Sequence, residues 1–473
     1  MAETKDILSN RRYGHWTAFL LLFYLLRNIP NLLSEYWYDE VLTITNFALD
    51  PRQKGLWNAV FRSYPIANNH ILNSAISYFF LRLFPIASEP LQRLPSLFFG
   101  ACAILIVLCV WRKVLGDKMA LLGGTLLAVS PVVNAYVWQL RGYSLTLLLS
   151  TLAMTGVLFA KAKPRGSLLL SSVSCLLLPL VIPSNAMVAP VIAVAFVVQM
   201  QGWRKQLLPL LCIGGATAVG LAYYLTIWPQ FIHAMQEPDG YSSAWKVAFA
   251  LLLGLAVHLL PLAIPFYSRP AIDRNDRRIC GTIFGGSLLI CLFLLLVSRH
   301  GHSPYPRVFL VLFPPITAGI MLVFRNSCFS LFHGTAFALV AGLLITLGCD
   351  TFTKHQLKKG IVPDNLLCQY YQGSTELREI AFFLSENYPK ESLLLTDAYD
   401  FPTMQFYWAI TGHEGKNVLA INRVPEIQEN HSSIAIISRT TEDLQLVSMV
   451  TELDTTKAVP LKTFPIRTIY TIE

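Results

Sequence analysis

Charge is what this chain has little of: Asp, Glu, Lys and Arg make up 14% of its 473 residues, where a soluble chain carries about 25%. That scarcity excludes a water-soluble enzyme of this length. A hydrophobic share of 54% and a mean hydropathy of +0.50 point instead to a polytopic α-helical membrane protein. No Gly-rich phosphate loop stands between a strand and a helix, so no nucleotide site of that kind is written here. The nine cysteines show no CxxC or Cys/His spacing suited to a metal. Cys349 and Cys368 lie just past the last apolar run, where an exported disulfide and two free thiols are both open readings. No small-residue cleavage site follows the apolar run at 16–26. That run is therefore expected to be an uncleaved first span, with Arg11, Arg12 and the amino-terminal tail in the cytoplasm.

Long apolar runs are also missing after Gly348, and the charge changes sign at the same place. Residues 350–473 hold 11 basic and 16 acidic residues, a balance of −5, whereas residues 1–349 carry +14. The overall +9 is thus no nucleic-acid signal. It reports membrane topology, because short cytoplasmic loops retain Lys and Arg. Eleven spans are expected, near 15–34, 93–111, 119–136, 143–160, 167–183, 186–200, 207–227, 247–266, 280–298, 308–324 and 333–349. The apolar stretch 70–86 is left outside this set. Only then do Arg112/Lys113/Lys118, Lys161/Lys163/Arg165, Arg204/Lys205, the Arg269–278 group and Arg325 all fall on the cytoplasmic side. The first domain is accordingly 1–349, with an outer loop 35–92. The second, 350–473, is expected to be a small extracytoplasmic α/β domain: 376–384 has helical spacing, 392–395 is strand-like, and 418–421 and 434–437 are further short apolar runs. Asp397, Tyr399 and Asp400 follow the first of these strands; they could face a ligand, but solvated turn residues are the favoured reading.

With the chain so oriented, the few polar clusters on the outer face carry the information. Glu35-Tyr36-Trp37-Tyr38-Asp39-Glu40 lies just past the first span, where aromatics suit the headgroup region but adjacent carboxylates have no apolar purpose. Asp39 or Glu40 can accept a proton; as neighbours they point apart and do not form a symmetric pair. The plain alternative is a solvated anchor with a helix cap. Asn69 and His70 open the 70–86 stretch, either as a donor to an anion or as an ordinary interfacial helix start. Tyr136, Trp138, Gln139, Arg141 and Tyr143 crowd one short outer loop. The aromatics there suit a membrane belt, whereas Arg141 at that depth needs to snorkel or to meet an anion. Arg299, Tyr305 and Arg307 make the outside basic, against the usual tendency, and Arg307 has the fork geometry for a phosphoryl group. Arg27 and Arg93, at the ends of the first two spans, either line the same cavity or reach the interface. His300 and His302 lack a third ligand. A divalent cation held by carboxylates, Asp39 among them, and a bound phosphate stays open.

Several of these marks occur in the order of a known superfamily. Tyr38-Asp39-Glu40 is similar to its acidic motif in the first outer loop, and Asn69-His70-Ile71-Leu72 to its His-Pro-Pro-Leu segment, without the prolines. Glu89 through Arg93-Leu94-Pro95-Ser96 is similar to its Glu...Arg-Leu-Pro-Ser, and Ser130-Pro131 through Tyr136, Arg141 and Tyr143 to a signature in which Gln139 is usually Glu. Tyr305-Pro306-Arg307 matches a Pro-Arg-Tyr segment. Over about residues 10–325 the chain resembles the GT-C superfamily of polyprenyl-phosphate-sugar-dependent glycosyltransferases, in the branch of the protein mannosyltransferases and lipid A aminoarabinose transferases.

That resemblance implies a GT-C-like transmembrane domain in a bacterial plasma (inner) membrane. It implies inverting transfer of a monosaccharide from a polyprenyl-phosphate donor to an extracytoplasmic lipid, glycan or protein acceptor, with membrane lipids as further partners. Asp39 would be the base with Glu40 in support. Arg141 and Arg307 would neutralise the donor phosphate, helped by Arg299, Tyr305 and Tyr143, while His70, Asn69 and Arg27 would shape the cavity. Gln139 in place of Glu puts a second acidic contact, and any metal site built on it, in question. Two other classes fit the membrane pattern. A lipid or polysaccharide transporter would more often show inverted repeats, and none is evident. A membrane scaffold with an exported binding domain would leave the outer clusters unrelated.

Overall fold

The computed structural model describes residues 2–48, 55–62, 69–85, 88–200, 203–236, 272–297, 306–325, 339–345, 376–389, 392–398, 400–421, 433–438 and 455–472, with isolated positions between them. Two compact units emerge: one of Met1–Leu32 and Arg52–Leu347, the other of Leu33–Pro51 and Gly348–Glu473. The second unit thus takes in the acidic segment that follows the first expected span.

The first unit is helical. Its helices are α1 (Ala2–Leu32), α3 (Ile71–Leu83), α4 (Glu89–Leu105), α5 (Arg112–Leu115), α6 (Asp117–Val129), α7 (Pro131–Tyr136), α8 (Tyr143–Phe159), α9 (Pro164–Val181), α10 (Ala189–Met200), α11 (Trp203–Ala222), α12 (Trp228–Gln236), α13 (Arg274–Val297) and α14 (Phe313–Phe324); α2 (Tyr38–Leu42) belongs to the second unit. Six stretches among the described residues are long and apolar enough to cross a bilayer: Glu89–Leu115, Pro164–Val181, Pro183–Met200, Leu207–His233, Arg274–Leu294 and Arg307–Phe324. Each overlaps an expected crossing. The stretch 247–266 apart from Leu255, and residues 333–338, 346 and Cys349 of the last expected crossing, lie outside the described residues, as does Cys368.

Two local features depart from a simple bundle of crossings. The run at 119–136 is not continuous, because Ser130 ends α6 and caps α7, accepting from the Val133 N–H at 3.4 Å, and Pro131 restarts the chain. Proline suits a first helical position and breaks an interior one, which explains the division. Helix α3 has 13 residues, about 20 Å at 1.5 Å each, short of a hydrocarbon core of about 30 Å. Its burial is inside out. Asn73, Ser74 and Ser77 are buried while Phe79 and Leu83 are exposed, the pattern of a helix whose outer face meets lipid.

Helix α1 repeats that inversion. Phe19, Leu22, Leu26 and Ile29 face outward, and Tyr24 and Asn28 are buried. Tyr24 donates to the Leu97 carbonyl at 3.3 Å, and Asn28 Nδ2 to Asn134 Oδ1 at 3.0 Å. Asn134 in turn donates to the Ala128 carbonyl at 2.7 Å, on the last turn of α6. Lipid offers no hydrogen bonds, so polar groups that face inward find one another and tie α1, α4 and α7 together.

The second unit carries a five-stranded sheet of order β2-β1-β3-β5-β4, from β1 (Leu393–Thr396), β2 (Val418–Ala420), β3 (Ile434–Ser438), β4 (Val459–Thr463) and β5 (Thr468–Ile472). Strand β1 runs parallel to both neighbours, and all four of its residues are buried, as a central parallel strand requires. The edge strand β4 is exposed throughout, carries Pro460 and Lys462, and has a register shift, features that discourage pairing with another chain. Helices α15 (Leu377–Asn387) and α16 (Phe401–Ile410) pack against each other, and α2 packs on α16.

Candidate functional site

In the first unit the polar cluster begins at the amino end of α3. His70 Nδ1 lies 2.8 Å from the Gly142 N–H, and Nε2 lies 3.1 Å from Arg141 Nη2. The ring meets Tyr143 edge-on, with centroids 5.2 Å apart. Tyr136 lies 5.1 Å from the same Tyr143 ring, and the Arg307 guanidinium sits 5.9 Å from its centroid. Three separate segments therefore converge on Tyr143: the start of α3, the loop between α7 and α8, and the 3-10 turn Pro306–Leu312.

Glycine is required in that loop. A Cβ on residue 142 would come within 2.4 Å of Val181 Cγ1 and 3.1 Å of His70 Nδ1. Because residue 142 has no side chain, its amide can reach the imidazole.

The imidazole has an uneven set of neighbours. A neutral ring carries one N–H and one acceptor nitrogen. The Gly142 amide can only donate, so Nδ1 accepts and Nε2 carries the proton. That Nε2–H then faces another donor, the Arg141 guanidinium. Protonation offers no relief: burial, then the charges of Arg141 and Arg307, hold His70 well below the ordinary histidine value of 6.5. An oxygen anion that accepts from both Nε2 and Arg141 would relieve the clash of donors. Around these residues, Gln139 donates to the Ala135 carbonyl at 3.1 Å, but its Oε1 is buried with no hydrogen-bond partner. Asn73 Nδ2 and Ser144 Oγ are buried in the same condition. Buried polar atoms are ordinarily satisfied, and three exceptions beside one cluster leave both donor and acceptor capacity for a bound molecule.

Other candidates have local roles. Asn69 donates to the Val60 carbonyl at 2.9 Å and accepts from Ser74 at 2.8 Å, which ties the loop to α3. Arg93, weighed as a cavity or interface residue, is fully buried and donates to the carbonyls of Asn31 and Leu32 at 3.0 and 3.1 Å, with Trp138 stacked at 4.8 Å. It caps the carboxy end of α1, where a cation meets the negative end of the helix dipole. Arg27 is half-buried on α1. Arg299, Tyr305, His300 and His302 lie outside the described residues.

In the second unit Asp39 and Glu40 occupy the first turn of α2, and both are buried. Glu40 Oε2 accepts from the Trp37 N–H at 3.3 Å and so caps the helix. The Asp39 carbonyl accepts from the Thr43 hydroxyl at 2.9 Å. No group of three or more His, Cys, Asp or Glu side chains that could hold a metal is present among the described residues.

The residues after β1 behave differently from a solvated turn. Asp400 is buried and takes both forks of Arg467, at 2.7 and 2.9 Å, and its own N–H donates to Asp397 at 2.8 Å. The partner comes from 67 positions along the chain, beyond the reach of any local reading. Tyr399 lies outside the described residues. Glu376 has the left-handed φ of 62° and accepts from the Ile466 N–H at 3.0 Å. Burial raises its carboxyl above the ordinary value, against the pull of that N–H and of Arg467.

No family model matches the chain, and no curated protein matches it. Solved structures do. ArnT from Cupriavidus metallidurans in the apo state is similar with a TM-score of 0.63 and 14% identity, over 100% of this chain and 98% of that one. ArnT from the same organism bound to undecaprenyl phosphate gives 0.61 at 14% identity, over 97% of each chain. The arabinofuranosyltransferase AftD from Mycobacteria gives 0.50 at 14%, over 97% of this chain and 40% of that one. Helices with an apolar outer face, a small carboxy-terminal sheet and near end-to-end similarity to ArnT together give this chain a GT-C-like fold.

Proposed function

We propose that the protein is an inverting glycosyltransferase that moves a monosaccharide from a polyprenyl-phosphate donor to an extracytoplasmic lipid, glycan or protein acceptor. The observation that carries this reading is His70, whose two ring nitrogens both face donors while Arg307 approaches across Tyr143. A phosphate oxygen accepting from His70 Nε2–H and the Arg141 guanidinium turns that opposition into two charge-assisted hydrogen bonds. In the transfer, the acceptor's O–H or N–H loses its proton to the Asp39 carboxylate as it attacks the anomeric carbon. The bond from that carbon to the phosphate oxygen breaks, and the lipid phosphate leaves with the electron pair. A single displacement inverts the anomeric centre. His70, Arg141 and Arg307 stabilise the charge that grows on the leaving phosphate. Gln139 Oε1, Asn73 Nδ2 and Ser144 Oγ are suited to sugar hydroxyls. Glu40, already bonded to the Trp37 N–H, supports α2.

The lipid that neighbouring ArnT holds, undecaprenyl phosphate, supplies the probe. The full-length protein in nanodiscs is expected to bind undecaprenyl phosphate and to ignore undecaprenol, with His70→Ala and Arg307→Ala each weakening binding at least tenfold. Equal affinity for alcohol and phosphate overturns the phosphate site. A panel of polyprenyl-phosphate sugars offered with membrane lipid and protein fractions identifies the product. Asp39→Asn is expected to keep binding undecaprenyl phosphate and to form no product.

A further inference from the structure

The acidic segment is anchored far along the chain. Residues 35–37 are neither helix nor strand, so their amides lack partners from regular structure, and a buried N–H needs an acceptor. Trp37 finds one locally in Glu40. Fully buried Tyr36 finds one 371 positions away, in the Tyr407 hydroxyl at 2.7 Å. The Tyr36 ring also meets Phe406 edge-on, with centroids 5.7 Å apart and planes at 75°. Phe406 and Tyr407 sit on α16, against which α2 packs. The amino end of α16 is itself held, because Asp400 just before it is clamped by Arg467 from the turn between β4 and β5. An unbroken chain of contacts runs from the sheet through α16 to the turn that bears Asp39.

We infer that the carboxy-terminal α/β domain is a positioning device for the acidic segment, and that Tyr407 is the positioning residue that sets where α2 presents Asp39. The inference rests on the reading of Asp39 as the base. Helix α2 has five residues and continues into the six-residue π-helical stretch Thr43–Ala48, together still too short to hold its own geometry in isolation, so its placement comes from what it packs on. Placement is what a general base needs, since a displacement of about 1 Å costs about 100-fold in rate.

The test uses the full-length protein in nanodiscs. Tyr407→Phe keeps the ring and removes the acceptor from the Tyr36 N–H. Its kcat is expected to fall about 10- to 100-fold, while KM for the donor and affinity for undecaprenyl phosphate stay at wild-type values. Amide hydrogen exchange is expected to quicken in 33–42 and to stay slow in β1. Phe406→Leu leaves the hydroxyl and removes the edge-on contact, so kcat falls in the same direction and by less. A wild-type kcat for Tyr407→Phe beside an inactive Asp39→Asn overturns the positioning role and leaves the base standing. An active Asp39→Asn overturns the base, and the positioning role with it. Exchange that quickens through β1 and β3 as well makes Tyr407 a folding residue, and that also overturns the proposal.

Discussion

Arg467 in the second unit is gripped by both oxygens of Asp400, with the pair almost fully buried. In the first unit Arg141, equally buried, aims a nitrogen at an imidazole whose other nitrogen is already taken by an amide. Both clusters place an arginine where an ion is costly. One sets its guanidinium against a carboxylate and so fixes a shape; the other sets a guanidinium nitrogen against an N–H of His70, where under the proposed function a negative oxygen would bridge the two. An arginine's burial alone therefore says little about function, and what lies opposite each of its nitrogens says much more.

The contrast can be broken most forcefully in the second unit. Arg467→Leu leaves Asp400 charged and buried, and is expected to destabilise that unit by about 3–5 kcal/mol, whereas removing both partners together costs far less. Denaturant melts of the single and double variants check this, and a mild single variant would make the pair ornamental. Next is the ligand. Undecaprenyl phosphate at 100 times its Kd is expected to stabilise the first unit by about 2.7 kcal/mol and to leave the second unit's transition where it was. Gly142→Ala follows, at about 1–3 kcal/mol, because the new methyl overlaps Val181 and presses on His70; phosphate-lipid affinity should fall with it, as titration would show.

The smallest contrast is in pH, and its sign differs between the units. Burial and two guanidiniums depress His70 below 6.5, so an unfolded chain takes up a proton there that the folded one refuses. Its contribution to first-unit stability is present above about 6.5 and is lost as pH falls toward the depressed value. Burial raises Glu376 above 4.5, so its contribution is present below 4.5 and is lost as pH rises through the raised value. Melting each unit across this range, with His70→Gln and Glu376→Gln as controls, checks the signs; a common slope in both units would erase the contrast.

How legible the molecule was in its sequence depended on chain distance. Hydropathy and charge located the crossings at 93–111, 167–183 and 308–324, and residue pattern located β1, β2, β3 and α15, because both signals are local. His70, Arg141, Tyr143 and Arg307 were legible as candidates, since polar and charged residues are scarce among the apolar runs of a membrane protein. Gly142 was passed over, although a glycine wedged between Arg141 and Tyr143 in so short a loop was its signal. Arg93 read as either a cavity or an interface residue and is a helix cap, which local sequence could not reveal because the carbonyls it serves lie 61 and 62 positions back. Asp400 looked solvated because nothing near it in sequence reveals Arg467. The break at Ser130-Pro131 was in plain view, but apolar continuity across 119–136 outweighed it.

The 371 positions between Tyr36 and Tyr407 are also an interval of time. At about 5–20 residues per second of synthesis, the stretch bearing Asp39 leaves the ribosome roughly 20–75 s before its anchor exists. The helices that hold His70, Arg141 and Arg307 precede that anchor throughout. A chain interrupted between Arg307 and α16 would therefore carry His70, Arg141 and Arg307 and lack the clasp on its acidic turn, so under the proposed function activity would be a property that only molecules extending past α16 acquire.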